Sequence, residues 1–344
     1  MGMMGACDRS NPGEAELIEL DTGIFEVMGT YGKIRVRADS ADRTRQAVAA
    51  AQEALAKADS FFSTYRQDSD LGRVNQLGHN QAVPVKPETY ELLTDALAYG
   101  RGTNGAFDIT IAPLLALWKH AASEDRLPSP EELAEARRRV GYGKVALDPG
   151  PPATVRLAVE GMKLNVDAIA KGRAVDWALD ALRQAGAPAA LVEIGGEIGC
   201  FGTNAWRIGI QDPWVKDHEN PLVPRVRWVL ELRNAAVATS GNYRRFFTIG
   251  GRGYSHIIDP ATGKPADVVP SVTVIAPKTA DADAIATALS VMGPDAGLAW
   301  VESMPGVEAM LVLGEPEHEV LRRSSGFARY EMGENRTEPG RKKR

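Results

Sequence analysis

The segment AALVEIGGEIGCFG, residues 189–202, decides the fold class. Two apolar runs flank a Gly-Gly pair, which is the pattern of two strands joined by a turn. No helical pattern follows the glycines, so the segment lacks the context of a dinucleotide-binding fingerprint. It therefore predicts strands that are connected as a meander.

The pattern on both sides of this segment alternates strands with helices. A strand pair is predicted over residues 22–38, followed by a long helix over 41–62 whose apolar residues recur at helical spacing. Other predicted strands lie around Val145 and Leu157 and in 206–213, 225–241, 272–277 and 306–313. Other predicted helices run from Pro87 to near Gly102, from Pro113, over 129–141 with a Ser129/Glu132 capping box, up to Gly186, and over 280–293. This order predicts an α+β protein whose largely antiparallel sheets are flanked by helices.

The composition is that of a soluble globular protein. The chain has 344 residues, of which 44% are hydrophobic and 25% charged, and a formal net charge of -5. This length allows one large or two ordinary domains. The net charge offers no electrostatic footprint for nucleic acid, which excludes that class of partner. No run approaches the roughly 20 apolar residues of a transmembrane helix.

The two cysteines and the two termini carry separate signals. Cys7 and Cys200 are too few for a disulfide framework or a Cys-rich zinc site, and Cys200 is typical of a small buried hydrophobe.

MGAC before a polar stretch resembles the end of a bacterial lipoprotein signal, with Cys7 lipidated and residues 1–21 as a tether. The apolar segment of such a signal is missing, so the alternatives are a trimmed start and a chance likeness. Residues 323–344 are predicted to form a polar and basic tail.

The segment TADADAIATALS, residues 279–290, places a carboxylate and a hydroxyl on one helical face. Asp283 and Thr287 are four residues apart, so both side chains can point at one ion. Oxygen ligands of this kind suit Mg²⁺. Alternatively, Asp281 and Asp283 only complement the positive end of the helix dipole. The spacing leaves both alternatives open.

Two further segments carry a cation and an imidazole. AIAKG, residues 168–172, places Lys171 at a loop-to-helix junction, where it either meets an anion or lies in solvent. YSHIIDPATGKP, residues 254–265, places His256 shortly before a turn formed by residues 259–263. His256 is either a catalytic group at a strand end or a structural residue of a hairpin, and this segment alone does not decide.

Together and in this order, the segments resemble the ApbE family of FAD:protein FMN transferases over about residues 27–313. The resemblance is carried by MGTYGKI (28–34), FSTYRQDSDLGRVN (62–75), NGAFDITIAPLLALW (104–118), DAIAKGRAVD (167–176), EIGGEIGCFG (193–202), WRIGIQDP (206–213), ATSGNY (238–243), YSHIIDPATGKP (254–265) and ADADAIATALSVMG (280–293). It implies a single large two-lobed catalytic domain over residues 22–322.

The resemblance also implies a reaction. A Mg²⁺-dependent enzyme takes FAD, attaches its FMN moiety through a phosphoester to a Thr or Ser of an acceptor protein, and releases AMP. Acceptors in the family are flavoprotein subunits of membrane redox complexes, of the NADH:quinone reductase, Rnf and nitrous-oxide-respiration types. The implied location is the periplasmic side of the bacterial inner membrane, as a lipoprotein or an exported protein. The alternative is the cytoplasm, if the start is genuine.

Site residues follow from the resemblance position by position. Asp283, Thr287 and the main-chain carbonyl of Ala168 match the Mg²⁺ ligands. His256 matches the histidine that would take the proton of the acceptor hydroxyl or steady the transferred phosphate. The positions that match FAD contacts are Met28, Tyr65, Ala106, Phe107, Asp108, Asn165, Asp167, Lys171 and Ile258.

The chain departs from the family pattern in several places. Asn165 stands where many members have Asp, with Asp167 two residues later, which leaves open which of them contacts the ligand. Glu193 and Glu197 stand where Asn and Asp are common, and Lys171 is Glu or Gln in some relatives. Two other functions stay open: a Mg²⁺-dependent FAD pyrophosphatase that yields FMN and AMP, and a non-catalytic FAD-binding protein.

Overall fold

The computed structural model describes residues 17–64, 66–215, 225–241 and 246–332. The strands are β1 Ile18–Asp21, β2 Phe25–Val27, β3 Thr30–Ala38, β4 Val83–Pro84, β5 Val145–Asp148, β6 Thr154–Leu157, β7 Ala189–Ile194, β8 Glu197–Phe201, β9 Trp206–Gln211, β10 Val226–Leu232, β11 Ala235–Gly241, β12 Phe246–Ile249, β13 Arg252–Ser255, β14 Ser271–Ala276, β15 Glu308–Leu313 and β16 Val320–Arg323. The helices are α1 Ala41–Phe62, α2 Asp70–Leu77, α3 Pro87–Gly102, α4 Ala112–Ser123, α5 Pro130–Arg138, α6 Asp167–Gln184, α7 Thr279–Met292 and α8 Pro294–Glu302, with 3₁₀ turns at Tyr142–Lys144 and Phe327–Tyr330.

A nine-stranded sheet is the centre of the molecule. Its strand order is β1-β3-β7-β8-β11-β14-β15-β16, with β2 paired to β3. Every strand pair in the described ranges is antiparallel, which confirms the predicted α+β class. The segment 189–202 forms β7 and β8, and the turn between them holds Gly195 and Gly196 at φ values of 63° and 114°. Only glycine adopts such values readily, so the Gly-Gly pair makes the tight reversal possible.

The two faces of the sheet are covered by different elements. Along β3, Ile34 and Val36 are buried in the core beneath the helices, whereas the alternate residues Arg35 and Arg37 lie on the opposite face. The guanidinium groups of both arginines lie over the ring of Trp206 in β9, 5.2 and 4.3 Å from its centroid. The hairpin of β9 and β10 therefore covers the face that the helices leave open.

The helical face is formed mainly by α1, α6 and α7. α1 begins and ends where the sequence predicts, because its apolar stripe is continuous and Ser40 caps its first turn through a hydrogen bond from the Arg43 N–H at 3.3 Å. α7 ends at Met292, and the predicted stop Gly293 follows it with a φ of 76°. The predicted capping box of α5 is also confirmed, since Ser129 and Glu132 exchange both hydrogen bonds.

α6 and α7 cross in very close contact at Gly172. A Cβ atom at this position would lie 2.5 Å from the Thr279 carbonyl oxygen and 2.6 Å from the Ala280 Cα. One turn further along α6, the Asp176 carboxylate accepts hydrogen bonds from the Thr279 and Ala280 N–H groups at 2.7 and 3.0 Å. Asp176 therefore caps α7 from a neighbouring helix.

The sequence pattern predicts neither α2 nor α8. α2 has only eight residues and contains Gly72, where a Cβ would lie 1.9 Å from the Arg66 carbonyl oxygen. α8 begins directly after Gly293, so no loop separates it from α7.

The sheet and its packing also extend beyond the predicted domain limits, 22–322. β1 lies within the predicted tether and pairs with β3, and Phe327, within the predicted tail, is fully buried. Cys7 and the basic C-terminal residues lie outside the described residues. Among the described helices, none is long and apolar enough to cross a membrane.

Replacing Gly172 with alanine should lower the free energy of unfolding by about 1–3 kcal/mol, because the new methyl group overlaps backbone atoms of α7. Urea denaturation measures this change. Gly143→Ala is the matched control, since its Cβ would meet nothing within 4 Å. The control should stay within about 0.5 kcal/mol of the parent chain. Equal losses in the two variants would contradict a tight α6–α7 crossing.

Candidate active site

A cavity of about 180 Å³ lies where the β7–β8 turn, the start of α6, one face of α7 and the loop after β13 meet. Most of the predicted site residues line it, although they come from distant parts of the chain. These are Ala106, Phe107, Asp108, Asn165, Asp167, Ala168, Lys171, His256, Ile258, Asp283 and Thr287. The convergence favours a functional interpretation of His256, Lys171 and Asp283 over a purely local one.

Two predicted FAD contacts are not among the lining residues. Met28 lies at the β2–β3 turn with a φ of 48°, beside an open groove. Its hairpin adjoins the cavity, since the Gly195 N–H donates to the Tyr31 carbonyl at 2.9 Å. Tyr65 lies outside the described residues. Contact between FAD and these two residues stays a prediction.

Lys171, Glu197 and Asp283 form a cluster of charges in the cavity wall. The Lys171 Nζ lies 2.6 Å from Glu197 Oε1 and 3.9 Å from Asp283 Oδ2. The Lys171 side chain is 16% exposed, so it is not the solvated surface lysine that the sequence left as an alternative. Asp283 Oδ2 also accepts a hydrogen bond from the Gly172 N–H at 3.2 Å.

Burial and charge act against each other in this cluster. Burial alone would lower the pKa of Lys171, but the carboxylates of Asp283 and Glu197 outweigh it and raise that pKa above its usual value. Burial raises the pKa of Asp283, and the nearby Lys171 ammonium only partly opposes the effect. A cation in the cavity would favour the ionised form of Asp283.

Asn165 and Asp167 act as one unit at the start of α6. The Asp167 N–H donates to Asn165 Oδ1 at 3.1 Å, and Asn165 Nδ2 donates to Asp167 Oδ2 at 3.2 Å. Both residues line the cavity. Each residue therefore restrains the orientation of the other in the cavity wall.

Both carboxylate oxygens of Asp108 accept hydrogen bonds from other residues of the chain. Oδ1 accepts hydrogen bonds from the Thr110 N–H and hydroxyl at 2.8 and 2.6 Å, and Oδ2 accepts one from the Tyr142 N–H at 2.8 Å. Burial raises the pKa of Asp108, although these three hydrogen bonds oppose the shift. These bonds indicate that Asp108 shapes the cavity wall.

His256 follows β13 directly, and the predicted turn after it is confirmed. The Gly263 N–H donates to the Asp259 carbonyl, and the Asp259 N–H donates to that of Lys264, both at 2.8 Å. The Trp118 indole N–H donates to the Gly263 carbonyl at 2.8 Å. This turn is therefore attached to α4, and the loop that carries His256 is held at both ends.

Sequence reasoning missed two residues that shape the site. Asp176 caps α7. Glu197 lines the cavity and accepts a hydrogen bond from Lys171. Asp281 is not among the residues that line the cavity. Its Oδ1 accepts a hydrogen bond from the Tyr99 hydroxyl at 2.8 Å. Only the strand-turn position of Glu197 could have signalled its role.

The donor set fits a hard divalent cation. Asp283 and Thr287 line the cavity together with Ala168. Glu197 Oε2 is buried and has no hydrogen-bond partner, which is the state expected of an oxygen that a ligand completes. Within the described ranges, no group of three or more His, Cys, Asp or Glu is spaced to hold a metal. A hydroxyl and a main-chain carbonyl would therefore have to complete the ligand set.

Comparison with known proteins places this geometry in a family. The family model described as the ApbE family matches residues 28–311. The chain belongs to the ApbE family. The FAD:protein FMN transferase of Treponema pallidum is 34% identical over 319 residues, which cover 88% of this chain and 86% of that protein. The FAD:protein FMN transferase of Vibrio cholerae is 37% identical over 249 residues, covering 70% and 72%.

Solved ApbE structures share the fold. The ApbE protein of Thermotoga maritima has a TM-score of 0.79 at 33% identity, covering 92% of this chain and all of that one. The flavinyl transferase ApbE of Pseudomonas stutzeri in its apo form has a TM-score of 0.76 at 32% identity, covering 92% and 96%. The sequence resemblance to the ApbE family and the predicted fold of antiparallel sheets flanked by helices are therefore confirmed.

Replacing Asp108 with alanine should destabilise this ApbE chain by about 2–3 kcal/mol, because the donors of Thr110 and Tyr142 lose a half-buried charged acceptor. Thermal and urea unfolding measure the loss. Asp148→Ala is the control, since that carboxylate is exposed and accepts one hydrogen bond, from the Gly150 N–H. Unchanged stability combined with loss of FAD binding would instead make Asp108 a direct ligand contact.

Proposed function

We propose that this chain is a Mg²⁺-dependent FAD:protein FMN transferase that modifies a Thr or Ser hydroxyl of an acceptor protein. The observation that carries the proposal is the convergence in one cavity of an imidazole, an ammonium, a carboxylate and a hydroxyl: His256, Lys171, Asp283 and Thr287. The names of the relatives support the same activity.

The reaction is a displacement at phosphorus. The acceptor hydroxyl oxygen attacks the phosphorus on the FMN side of FAD, the bond from that phosphorus to the bridging oxygen breaks, and AMP leaves with the bridging oxygen. The products are the FMN phosphoester of the acceptor and AMP. His256 would take the proton of the attacking hydroxyl as general base.

The rest of the cavity would position FAD and balance its charge. Asp283, Thr287 and the Ala168 carbonyl would hold Mg²⁺, which when bound neutralises negative charge on the pyrophosphate oxygens. Lys171 supplies a fixed ammonium beside the same place. Asn165, Asp167, Ile258 and the segment 106–108 would orient FAD, because they line the same wall.

The proposal also covers the acceptor protein and the cellular compartment in which the enzyme acts. The acceptor would be a flavoprotein subunit of a membrane redox complex, of the NADH:quinone reductase, Rnf or nitrous-oxide-respiration type. The enzyme would then act on the periplasmic side of the inner membrane, anchored through Cys7 or exported. Fractionation of cells that express the full chain would measure its compartment, and a purely cytoplasmic pool would refute this placement.

The purified chain incubated with FAD, Mg²⁺ and a flavoprotein subunit of an Rnf-type complex should produce an acceptor band that fluoresces in a denaturing gel. AMP should accumulate in step with that band, because one is released per transfer. AMP that forms equally without acceptor would show FAD hydrolysis instead. Intact FAD after prolonged incubation with acceptors of all three types would show a non-catalytic binding protein.

His256→Ala should reduce the transfer rate by about 10²–10⁴-fold, because the attacking hydroxyl loses its proton acceptor. FAD affinity, measured by flavin fluorescence, should change little. The control is His120→Ala, an exposed histidine on α4 whose imidazole lies 3.4 Å from Glu124. A His256→Ala variant with full transfer activity would eliminate the imidazole as base.

A further inference from the structure

Glu197 is a buried carboxylate with only one oxygen in use. The residue is 7% exposed, and its Oε1 accepts a hydrogen bond from Lys171 at 2.6 Å. Oε2 is fully buried and has no hydrogen-bond partner. Leaving a buried carboxylate oxygen unpaired is unfavourable, so its position calls for a ligand.

Glu197 directly follows the β7–β8 turn, and both Gly195 and Glu197 line the cavity. The unpartnered Oε2 of Glu197 would be 3.4 Å from a Cβ built on Gly195, so it lies beside the glycine turn. Lys171 connects Glu197 to Asp283, because its Nζ lies within 4 Å of an oxygen of each.

The charges in this place favour a cation as the missing partner. When both carboxylates are ionised, Glu197 and Asp283 contribute two negative charges against the one positive charge of Lys171, and the nearby Asp167 also acts on this largely buried cluster. A divalent cation would neutralise the negative charge of the carboxylates and bind their oxygens directly as ligands. A neutral hydrogen-bond donor would satisfy the oxygen but not the charge.

We propose that Glu197 Oε2 is a further ligand of the divalent cation, beside Asp283 and Thr287, while Oε1 holds Lys171. This assignment rests on the Mg²⁺ site of the proposed function. It gives the two oxygens of one side chain separate roles. Glu197 thereby fixes the distance between the metal and the ammonium that flank the pyrophosphate.

Mn²⁺ binding to the full chain without FAD tests the assignment, because electron paramagnetic resonance reports free Mn²⁺ directly. Glu197→Gln should raise the Mn²⁺ dissociation constant by about 10-fold or more. Glu193→Gln is the matched control: it lies in the same Glu-Ile-Gly-Gly-Glu segment but lines the groove on the other face. Its dissociation constant should stay within about two-fold of the parent. An unchanged constant in Glu197→Gln would overturn the proposal.

A double-variant cycle separates direct ligation from an effect through Lys171. In the Lys171→Gln background, adding Glu197→Gln should again weaken Mn²⁺ binding by about 10-fold. A loss that disappears in this background would mean that Glu197 acts only by restraining the ammonium, and would overturn the proposal.

Thermal melting without metal confirms that each variant is folded. If Glu197→Gln fails to fold, Glu197→Met takes its place, because it keeps the length and removes the ligand oxygen. The Glu197 assignment and the proposed metal site are tested by different outcomes. Tight Mn²⁺ binding that is insensitive to Glu197 overturns this inference alone, whereas a parent chain that binds no Mn²⁺ overturns the proposed metal site as well.

Discussion

The close crossing of α6 and α7 at Gly172 is the contact on which the site depends. Because residue 172 has no side chain, the Thr279 carbonyl and the Ala280 Cα approach the α6 backbone closely enough for the Gly172 N–H to donate to Asp283. Lys171, the preceding residue, is thereby brought next to the same carboxylate. Asp176 fixes the other end of the contact by capping α7. A larger residue at 172 would separate the charges that the cavity needs together.

The sheet brings the remaining groups to this contact. β8 begins at Glu197 directly after a turn of two glycines, so its carboxylate reaches Lys171 across the helix–sheet boundary. On the opposite side, the loop after β13 is held by the turn at Asp259 and by the hydrogen bond from Trp118 to Gly263. His256 is thus presented by a loop that hydrogen bonds hold in place, which suits a preorganised site.

Sequence patterns predicted the parts of this structure that depend on local order. The bounds of α1 and the Gly293 stop of α7 follow from an uninterrupted apolar stripe and from a residue that tolerates positive φ. α8 was not predicted, because the glycine that ends α7 also directly precedes α8 and no loop separates the two helices. The cavity positions were predicted by family resemblance rather than by spacing. The roles of Asp176 and Glu197 could not be predicted, because they depend on contacts between residues 103 and 26 positions apart.

The two outermost strands of the main sheet have a consequence for colloidal behaviour. β1 and β16 are four residues long, and half of their residues are charged. The acidic residues of β1 form ion pairs with Lys33 and Arg37 on β3. The arginines of β16 form ion pairs with Asp295 and Glu331. A strand from another molecule that docked on either edge would have to desolvate or break these ion pairs. These ion pairs therefore disfavour edge-to-edge pairing of this sheet with a strand of another molecule.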